Sequence, residues 1–217
     1  MRREVFAEFL GALLLTAAVV GSGIMGERLA AGNLAVALLA NTAATVAVLA
    51  ALIALFGPIS GAHFNPVITL VALFNRKIGA SRSVAFVIVQ IAGCCAGAML
   101  ANAMFELPLI HASTHIRNGG AQWLSEFVAT AGLVLIAFTS PSIKAAAWRV
   151  PSWIAGAYWF TASTSFANPA ISIGRSLSDT FAGIRPVDAP GFILAQLAGG
   201  VAGALLLRVF AEPKAAT

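Results

Sequence analysis

The chain has 217 residues, of which 59% are apolar and only 10% are charged, and its mean hydropathy is +0.91. A water-soluble domain carries about 25% charged residues, so this composition excludes one and predicts an all-α integral membrane protein. The net charge of +5 comes from basic residues scattered at the ends of apolar segments, which favours membrane topology over nucleic-acid binding as its explanation.

Six apolar stretches have the length of a bilayer-spanning helix, which needs about 20 residues. We predict membrane spans at residues 5–25, 33–56, 83–104, 121–140, 145–164 and 190–210. The first stretch is too long for the apolar core of a signal peptide, so we expect it to be retained as a span.

Two shorter apolar segments lie between spans two and three and between spans five and six. They begin at the triplets Asn65-Pro66-Val67 and Asn168-Pro169-Ala170. Asn is a preferred residue at the cap of a helix and Pro at its first position, so each triplet predicts a helix start. The run from Pro66 to Phe74 would form only about 13 Å of helix, too short for a bilayer core of about 30 Å. The sequence therefore predicts two half-helices that meet near the membrane midplane.

The two halves of the chain repeat each other. Glu8 and Glu126 begin the first span of each half, and Gln90 and Gln196 lie in the last, in the same order relative to the Asn-Pro triplets. A G-x-x-x-G pattern, typical of close helix packing in membranes, follows each glutamine. Three spans per half force opposite orientations, which is the inverted-repeat plan with its working site at the midplane.

We predict one domain over residues 1–217, with repeats at about 1–105 and 121–212. Basic residues indicate its orientation, because positively charged loops stay in the cytoplasm. With both termini cytoplasmic, the inner side holds Arg2, Arg3, Arg76, Lys77, Arg82, Lys144, Arg149, Arg208 and Lys214. The outer side then holds only Arg28, Arg117, Arg175 and Arg185.

The segment from Ser60 to Thr69, SGAHFNPVIT, resembles the signature of the aquaporin (major intrinsic protein) family. It departs from the usual signature in having Val67 where the family has Ala, whereas Asn168-Pro169-Ala170 keeps the tripeptide. The resemblance extends over essentially the whole chain. It implies six spans plus two re-entrant half-helices, no cofactor, and a homotetramer with one pore per subunit.

The two half-helices suggest what such a pore would carry. Each helix N-terminus presents about +0.5 of an elementary charge to the meeting point, where Asn65 and Asn168 would donate hydrogen bonds to the permeant. That field repels cations and orients water molecules. We therefore expect a passive channel for small neutral solutes.

The resemblance also indicates a selectivity filter. Most aquaporins have Arg directly after Asn-Pro-Ala, but this chain has Ile171. Counted as the family spaces them, the other filter positions are Thr45, Gly156 and Ser165, although a one-residue gap would replace Gly156 with a neighbour such as Tyr158. We predict a wide filter without a fixed charge, passing water, glycerol-like polyols and metalloid hydroxides such as arsenite.

Arg175 lies one helical turn beyond Ile171 and has two interpretations. It could return a charge to the pore mouth, but we favour an interfacial anchor or a salt-bridge partner for Asp179. The residues from Ile173 to Pro186 also resemble bacterial aquaporins associated with arsenic resistance.

Glu8 and Glu126 are costly in hydrocarbon unless they are paired. By resemblance, each would accept hydrogen bonds from the loop of its own half, with Gln90, Gln196 and His63 as further loop supports. A proton relay for coupled transport is the alternative for the two glutamates.

Other functions find less support in the sequence. His111 and His115, with Glu106 nearby, have the spacing of a metal site, but the region is predicted to be a loop, and we expect no metal. No enzyme motif is present. A proton-coupled secondary transporter, a strictly water-selective channel and an ion-conducting pore remain as alternatives. We expect the protein in a bacterial inner (plasma) membrane, with lipid as its environment and no nucleic-acid partner.

Overall fold

The computed structural model describes residues 1–210, and in this part of the chain all regular structure is helical. The helices are α1 (Arg2–Leu29), α2 (Leu34–Ser60), α3 (Pro66–Phe74), α4 (Ala80–Met104), α5 (Gly120–Thr139), α6 (Ile143–Phe160), α7 (Pro169–Arg175) and α8 (Ala189–Phe210). Six of these are long and two, α3 and α7, are short, as the sequence predicts. Lys214 and the end of the second repeat at 212 lie outside the described residues.

Five of the long helices are apolar and long enough to cross a membrane. The sixth, α6, has 18 residues and carries Lys144 and Arg149, which lower its hydropathy. It packs against α5 and α2, and α2 in turn packs against α1. The protein is therefore an all-α membrane protein with six transmembrane helices and two re-entrant half-helices.

Three spans have C-terminal ends that differ from the predicted ones, and the first of these, α1, continues to Leu29 rather than ending at residue 25. Helix α2 continues to Ser60 with Pro58 inside its last turn, and Gly61 ends it in the left-handed conformation at φ +92°. Helix α6 ends at Phe160 rather than at residue 164, since the chain turns there and Thr164 takes a positive φ of 60°.

Glycines hold the first and last spans of each repeat together. A Cβ atom at Gly93 or Gly97 of α4 would overlap the backbone of α1, and one at Gly199 or Gly203 of α8 would overlap the backbone of α5. These are the two predicted G-x-x-x-G patterns, and they form the α1–α4 and α5–α8 contacts.

One end of the bundle is covered by two irregular segments, 105–119 and 176–188. They run along each other, with hydrogen bonds from His111 N to Leu177 O and from Arg185 N to His115 O. We call this the loop-covered end. It lies beside the end of α7, whereas α3 ends in a short turn before α4 at the opposite end.

Candidate pore and its supporting residues

The loop before α3 is fastened by Glu8, which is fully buried in α1. Its carboxylate accepts hydrogen bonds from the backbone N–H groups of His63 (3.0 Å) and Phe64 (2.7 Å). It also accepts one from Ser60 Oγ at 2.6 Å and one from Gln90 Nε2 at 2.7 Å. Four donors thus satisfy a charge that would otherwise be costly in the membrane.

The loop before α7 repeats this arrangement around Glu126 of α5, which is also fully buried. This carboxylate accepts from the N–H groups of Phe166 and Ala167, both at 2.8 Å, and from Ser163 Oγ at 2.5 Å and Gln196 Nε2 at 2.6 Å. The same types of donor surround both glutamates. Each repeat therefore places its glutamate, its glutamine and its Asn-Pro loop in contact.

Positive φ angles turn these N–H groups toward the carboxylates. Ala62 and Phe64 have φ of 51° and 47°, and Ser165 and Ala167 have 52° and 48°. A left-handed residue other than glycine costs about 1–3 kcal/mol and persists only where its surroundings stabilise it. Here the hydrogen bonds to the two glutamates provide that stabilisation.

Asn65 and Asn168 cap their half-helices and also bridge the two loops. The Oδ1 of Asn65 accepts from Val67 N at 2.9 Å, and that of Asn168 accepts from Ala170 N at 3.0 Å. Each amide nitrogen donates to the opposite loop, Asn65 to Ala167 O at 2.7 Å and Asn168 to Phe64 O at 2.8 Å. An amide has two N–H groups, so each asparagine keeps one.

Both asparagines line a cavity of about 470 Å³ between the helices of the bundle, whose lining extends from Lys77 to Arg175. One side of the cavity consists of the polar loop backbone at Gly61–Asn65 and at Ser165 and Phe166. The opposite side is apolar and includes Leu15, Val19, Leu49, Ile53, Leu133, Val150 and Ile154. His63 also lines the cavity, and its Nδ1 lies 3.1 Å from Thr69 Oγ1.

Three of the four predicted filter residues, Thr45, Ser165 and Ile171, line this cavity. The prediction of Gly156 is wrong, because Gly156 lies on the exposed face of α6, away from the cavity. Two helical residues correspond to a rotation of about 200°, so Gly156 and the lining residue Tyr158 point in opposite directions. The Tyr158 hydroxyl lies 3.4 Å from Thr45 Oγ1.

Arg175 also lines the cavity, which corrects two expectations. The lining does carry a fixed charge, and Arg175 is not an interfacial anchor, since it is only 2% exposed. Asp179 is bound elsewhere: it accepts from Thr114 N at 2.8 Å and lies 3.9 Å from His111 Nε2. The signal in the sequence was its position four residues after Ile171, which returns a side chain to the same helix face.

Lys77 lines the cavity at the end opposite to the loop-covered one, with its Nζ 4.7 Å from the centre of the Phe138 ring. Sequence reasoning placed it only as an inner-side charge. Within residues 1–210, no Asp or Glu lines the cavity. Nor does any group of three or more His, Cys, Asp or Glu within residues 1–210 come close enough together to hold a metal ion.

Comparisons with known proteins agree with this geometry. The family model of the major intrinsic proteins matches residues 1–147. The chain is 49% identical over 215 residues to aquaglyceroporin AqpS of Rhizobium meliloti, covering 98% of this chain and 92% of the relative. It is 41% identical over 92 residues to glycerol uptake facilitator protein-like 6 of Lactiplantibacillus plantarum, covering 42% of this chain and 38% of that protein.

The fold is shared with a solved structure. The X-ray structure of the aquaglyceroporin from Plasmodium falciparum superposes with a TM-score of 0.73 at 18% sequence identity. The alignment covers 96% of this chain and 95% of that one, so the similarity of fold extends over nearly the whole chain.

Proposed function

Since the chain belongs to the major intrinsic protein family, we propose that it is a passive transmembrane channel for small neutral solutes. The permeants are water, glycerol-like polyols and metalloid hydroxides such as arsenite. The observation that carries the proposal is the pair of asparagine amides, Asn65 and Asn168, each with one free N–H at the junction of two half-helices.

A neutral solute in this cavity would meet hydrogen-bonding partners in the loop residues and in the two asparagine amides. Its hydroxyl oxygens accept from the two asparagine amides, and its carbon atoms or its metalloid face the apolar side. The N-termini of α3 and α7 add positive potential at the same place. A cation would meet that potential, and no carboxylate of the described residues 1–210 lines the cavity to offset it.

The filter sets the size of the permeant. With Tyr158 in place of Gly156, its members are Thr45, Tyr158, Ser165 and Ile171. Ile171 is an aliphatic side chain at the position directly after Asn-Pro-Ala, where a long charged side chain would narrow the path. The aliphatic side chain at position 171 supports passage of solutes larger than water, while Tyr158 is the largest of the four filter residues.

We assign supporting roles to the residues that hold the loops. Glu8 and Gln90 fix the first loop, and Glu126 and Gln196 fix the second, so that both asparagines keep their position. His63 holds the first loop to α3 through Thr69. Because each glutamate is saturated with donors from the protein, a proton relay through it is disfavoured.

Residues 1–217 would form this channel as one domain. We place it in a bacterial inner membrane with both termini in the cytoplasm, so that the loop-covered end faces outward. We further propose a homotetramer with one pore per subunit, surrounded by lipid, without nucleic acid, metal or cofactor.

Reconstitution into proteoliposomes tests the proposal. Stopped-flow permeation of water, glycerol and arsenite is compared between the unmodified protein, Ile171→Arg and the conservative control Ile171→Val. We expect the unmodified protein and Ile171→Val to pass all three solutes and Ile171→Arg to reject glycerol and arsenite while keeping water. Passage of water alone by the unmodified protein would indicate the strictly water-selective alternative.

An imposed proton gradient separates the channel from a coupled transporter. Glycerol flux through a channel follows only the glycerol gradient, whereas flux through a proton-coupled transporter rises or falls with the proton gradient. Accumulation of glycerol against its own gradient would overturn the proposal.

A further inference from the structure

The fixed charge in the cavity lining at the loop-covered end belongs to Arg175, the last residue of α7. Its guanidinium stacks on the Phe166 ring, with Cζ 3.3 Å from the ring centre, and its Nε donates to Ala182 O. Ile171, one helical turn before Arg175, and Ser165, in the loop before α7, line the same cavity.

Most of the hydrogen-bonding capacity of this guanidinium is unused by the protein. Arginine has five N–H groups, and Ala182 O is the one acceptor that Arg175 has among residues 1–210. Nor does any carboxylate in that part of the chain form a salt bridge with it. Four N–H groups and a full positive charge are therefore left beside the cavity.

Arg117, a second buried arginine beside Phe166, differs from Arg175 in its hydrogen bonds. It packs beside the same Phe166 ring, with Cζ 5.1 Å from the ring centre, but it does not line the cavity. Its Nε, Nη1 and Nη2 donate to the carbonyl oxygens of Gly183 (2.8 Å), Ser163 (3.3 Å) and Phe181 (3.3 Å). Arg117 thus holds loop backbone with all three nitrogens, and Arg175 with one.

A buried charge without a protein partner is costly unless water or a ligand solvates it. In this cavity the available partners are the permeating molecules. Ser165 belongs to the same lining, but its Oγ is buried and has no hydrogen-bond partner within residues 1–210, so the accessible donors at this end are those of Arg175.

We propose that Arg175 is a specificity-determining residue of the pore: its charge excludes cations, and its free N–H groups donate to the oxygens of neutral hydroxylated solutes. This inference rests on the proposed channel function. It gives the wide filter a means of rejecting ions without a bulky residue at position 171. The class of ligand at this site is a small polyol or an uncharged hydroxide.

The proposal is tested by measuring cation flux and glycerol flux on the same proteoliposomes. Potassium and proton leaks are recorded for Arg175→Met, which removes the charge, and for Arg175→Lys, which keeps it. Arg28→Met is the matched control, since Arg28 is a cation at the same end of the bundle that contacts Phe105 outside the cavity.

We expect Arg175→Met to raise cation leak by about tenfold or more over Arg28→Met, because among residues 1–210 Arg175 is the one cation that lines the cavity at the loop-covered end. Arg175→Lys should keep the leak low but slow glycerol permeation, since its ammonium cannot reproduce the planar set of donors. An Arg175→Met variant that passes glycerol normally and leaks no cations would overturn the proposal.

A second variant covers the case in which Arg175→Met does not fold. Ser165→Asp leaves Arg175 in place and adds a carboxylate to the lining, at a backbone conformation that Asp tolerates. We expect this variant to raise the cation leak, and an unchanged leak would contradict the proposed role of charge. If the unmodified protein passes no glycerol, the proposal of a polyol channel fails; the cation leak of Arg175→Met is then still compared with that of Arg28→Met, and an unchanged leak overturns the role of the Arg175 charge.

Discussion

The two repeats hold their Asn-Pro loops in the same way. Each half-helix packs against a helix of the other repeat, but the two contacts use different side chains. In the first repeat, α3 brings the bulky Val67 against Gly200 of α8. In the second, α7 brings Gly174 against the backbone of Cys94 in α4. The similarity between the two repeats is thus retained where backbone N–H groups need hydrogen-bond acceptors. It is lost where a contact requires only that the two surfaces fit together.

The repeats also differ in the segment after each half-helix. The chain after α3 makes a short turn into α4, whereas the chain after α7 forms the 176–188 segment of the loop-covered end. That longer segment supplies Ala182 O, which positions Arg175. The asymmetry at the pore mouth therefore combines a side chain of α7, Arg175, with the longer segment that follows this half-helix.

The largest expected effects come from removing the glutamates that the repeats share. Glu8→Gln and Glu126→Gln each turn an amide N–H toward groups that donate, and each should destabilise the protein by about 1.5–3 kcal/mol. Because the two networks match donor for donor, we expect similar losses, measured as thermal unfolding in detergent. Glu4→Gln, in a part-exposed ion pair with Arg82, is the control and should change little. A large loss for only one of the two buried glutamates would show that the networks are not equivalent.

A smaller effect on stability should distinguish the contact of α3 with α8 from the contact of α7 with α4. Gly200→Ala places a Cβ against Val67 Cγ1, so we expect a loss of about 1–3 kcal/mol that Val67→Ala largely restores. Gly174→Ala instead meets the Cys94 carbonyl oxygen at 2.7 Å, and Cys94→Ala should not restore it because the obstacle is backbone. Double-mutant cycles on unfolding free energy measure both couplings.

Gly156→Ala is the control for these cycles. Nothing lies closer than 3.9 Å to its added Cβ, and alanine favours helix over glycine, so its stability should be unchanged or slightly higher. Since Gly156 is outside the cavity, glycerol permeation should also stay unchanged. Equal coupling energies in the Gly200–Val67 and Gly174–Cys94 cycles would contradict the expected difference between the two contacts.

The smallest effect concerns a feature that only the second repeat has. The side chain of Arg185, with help from the backbone N–H of Arg117, lowers the pKa of Asp188 below its usual range. A carboxyl with a lowered pKa in the folded state contributes stability above its unfolded pKa of about 4, and loses it as the pH falls through the folded value.

We therefore expect acid to lower the unfolding temperature of the unmodified protein more than that of Asp188→Asn. The difference should appear only below about pH 5, and unfolding curves recorded from neutral to acid pH measure it. Parallel curves for the two proteins over the whole range would show that Asp188 does not contribute to stability in this way.

Much of the fold could be predicted because it depends on local rules. The start of α3 follows from a capping Asn and a Pro at the first helical position, and its predicted run from Pro66 to Phe74 matches the structure. The glutamates could be predicted as buried and partnered because a charge in hydrocarbon has few alternatives. The ends of α2 and α6 were less predictable. Whether a helix continues past Pro58 or stops at Phe160 depends on the loop that follows it.

By itself the sequence determined that this is a membrane protein built from two inverted repeats, with a half-helix and a buried glutamate in each. Only the tertiary structure decided that Tyr158 rather than Gly156 faces the pore, and that Arg175 points into it instead of pairing with Asp179. The physical reason is that hydropathy and capping act within a segment. The rotation of a helix about its axis, and the partner of a charge, depend on the side chains and backbone that the rest of the chain packs against it.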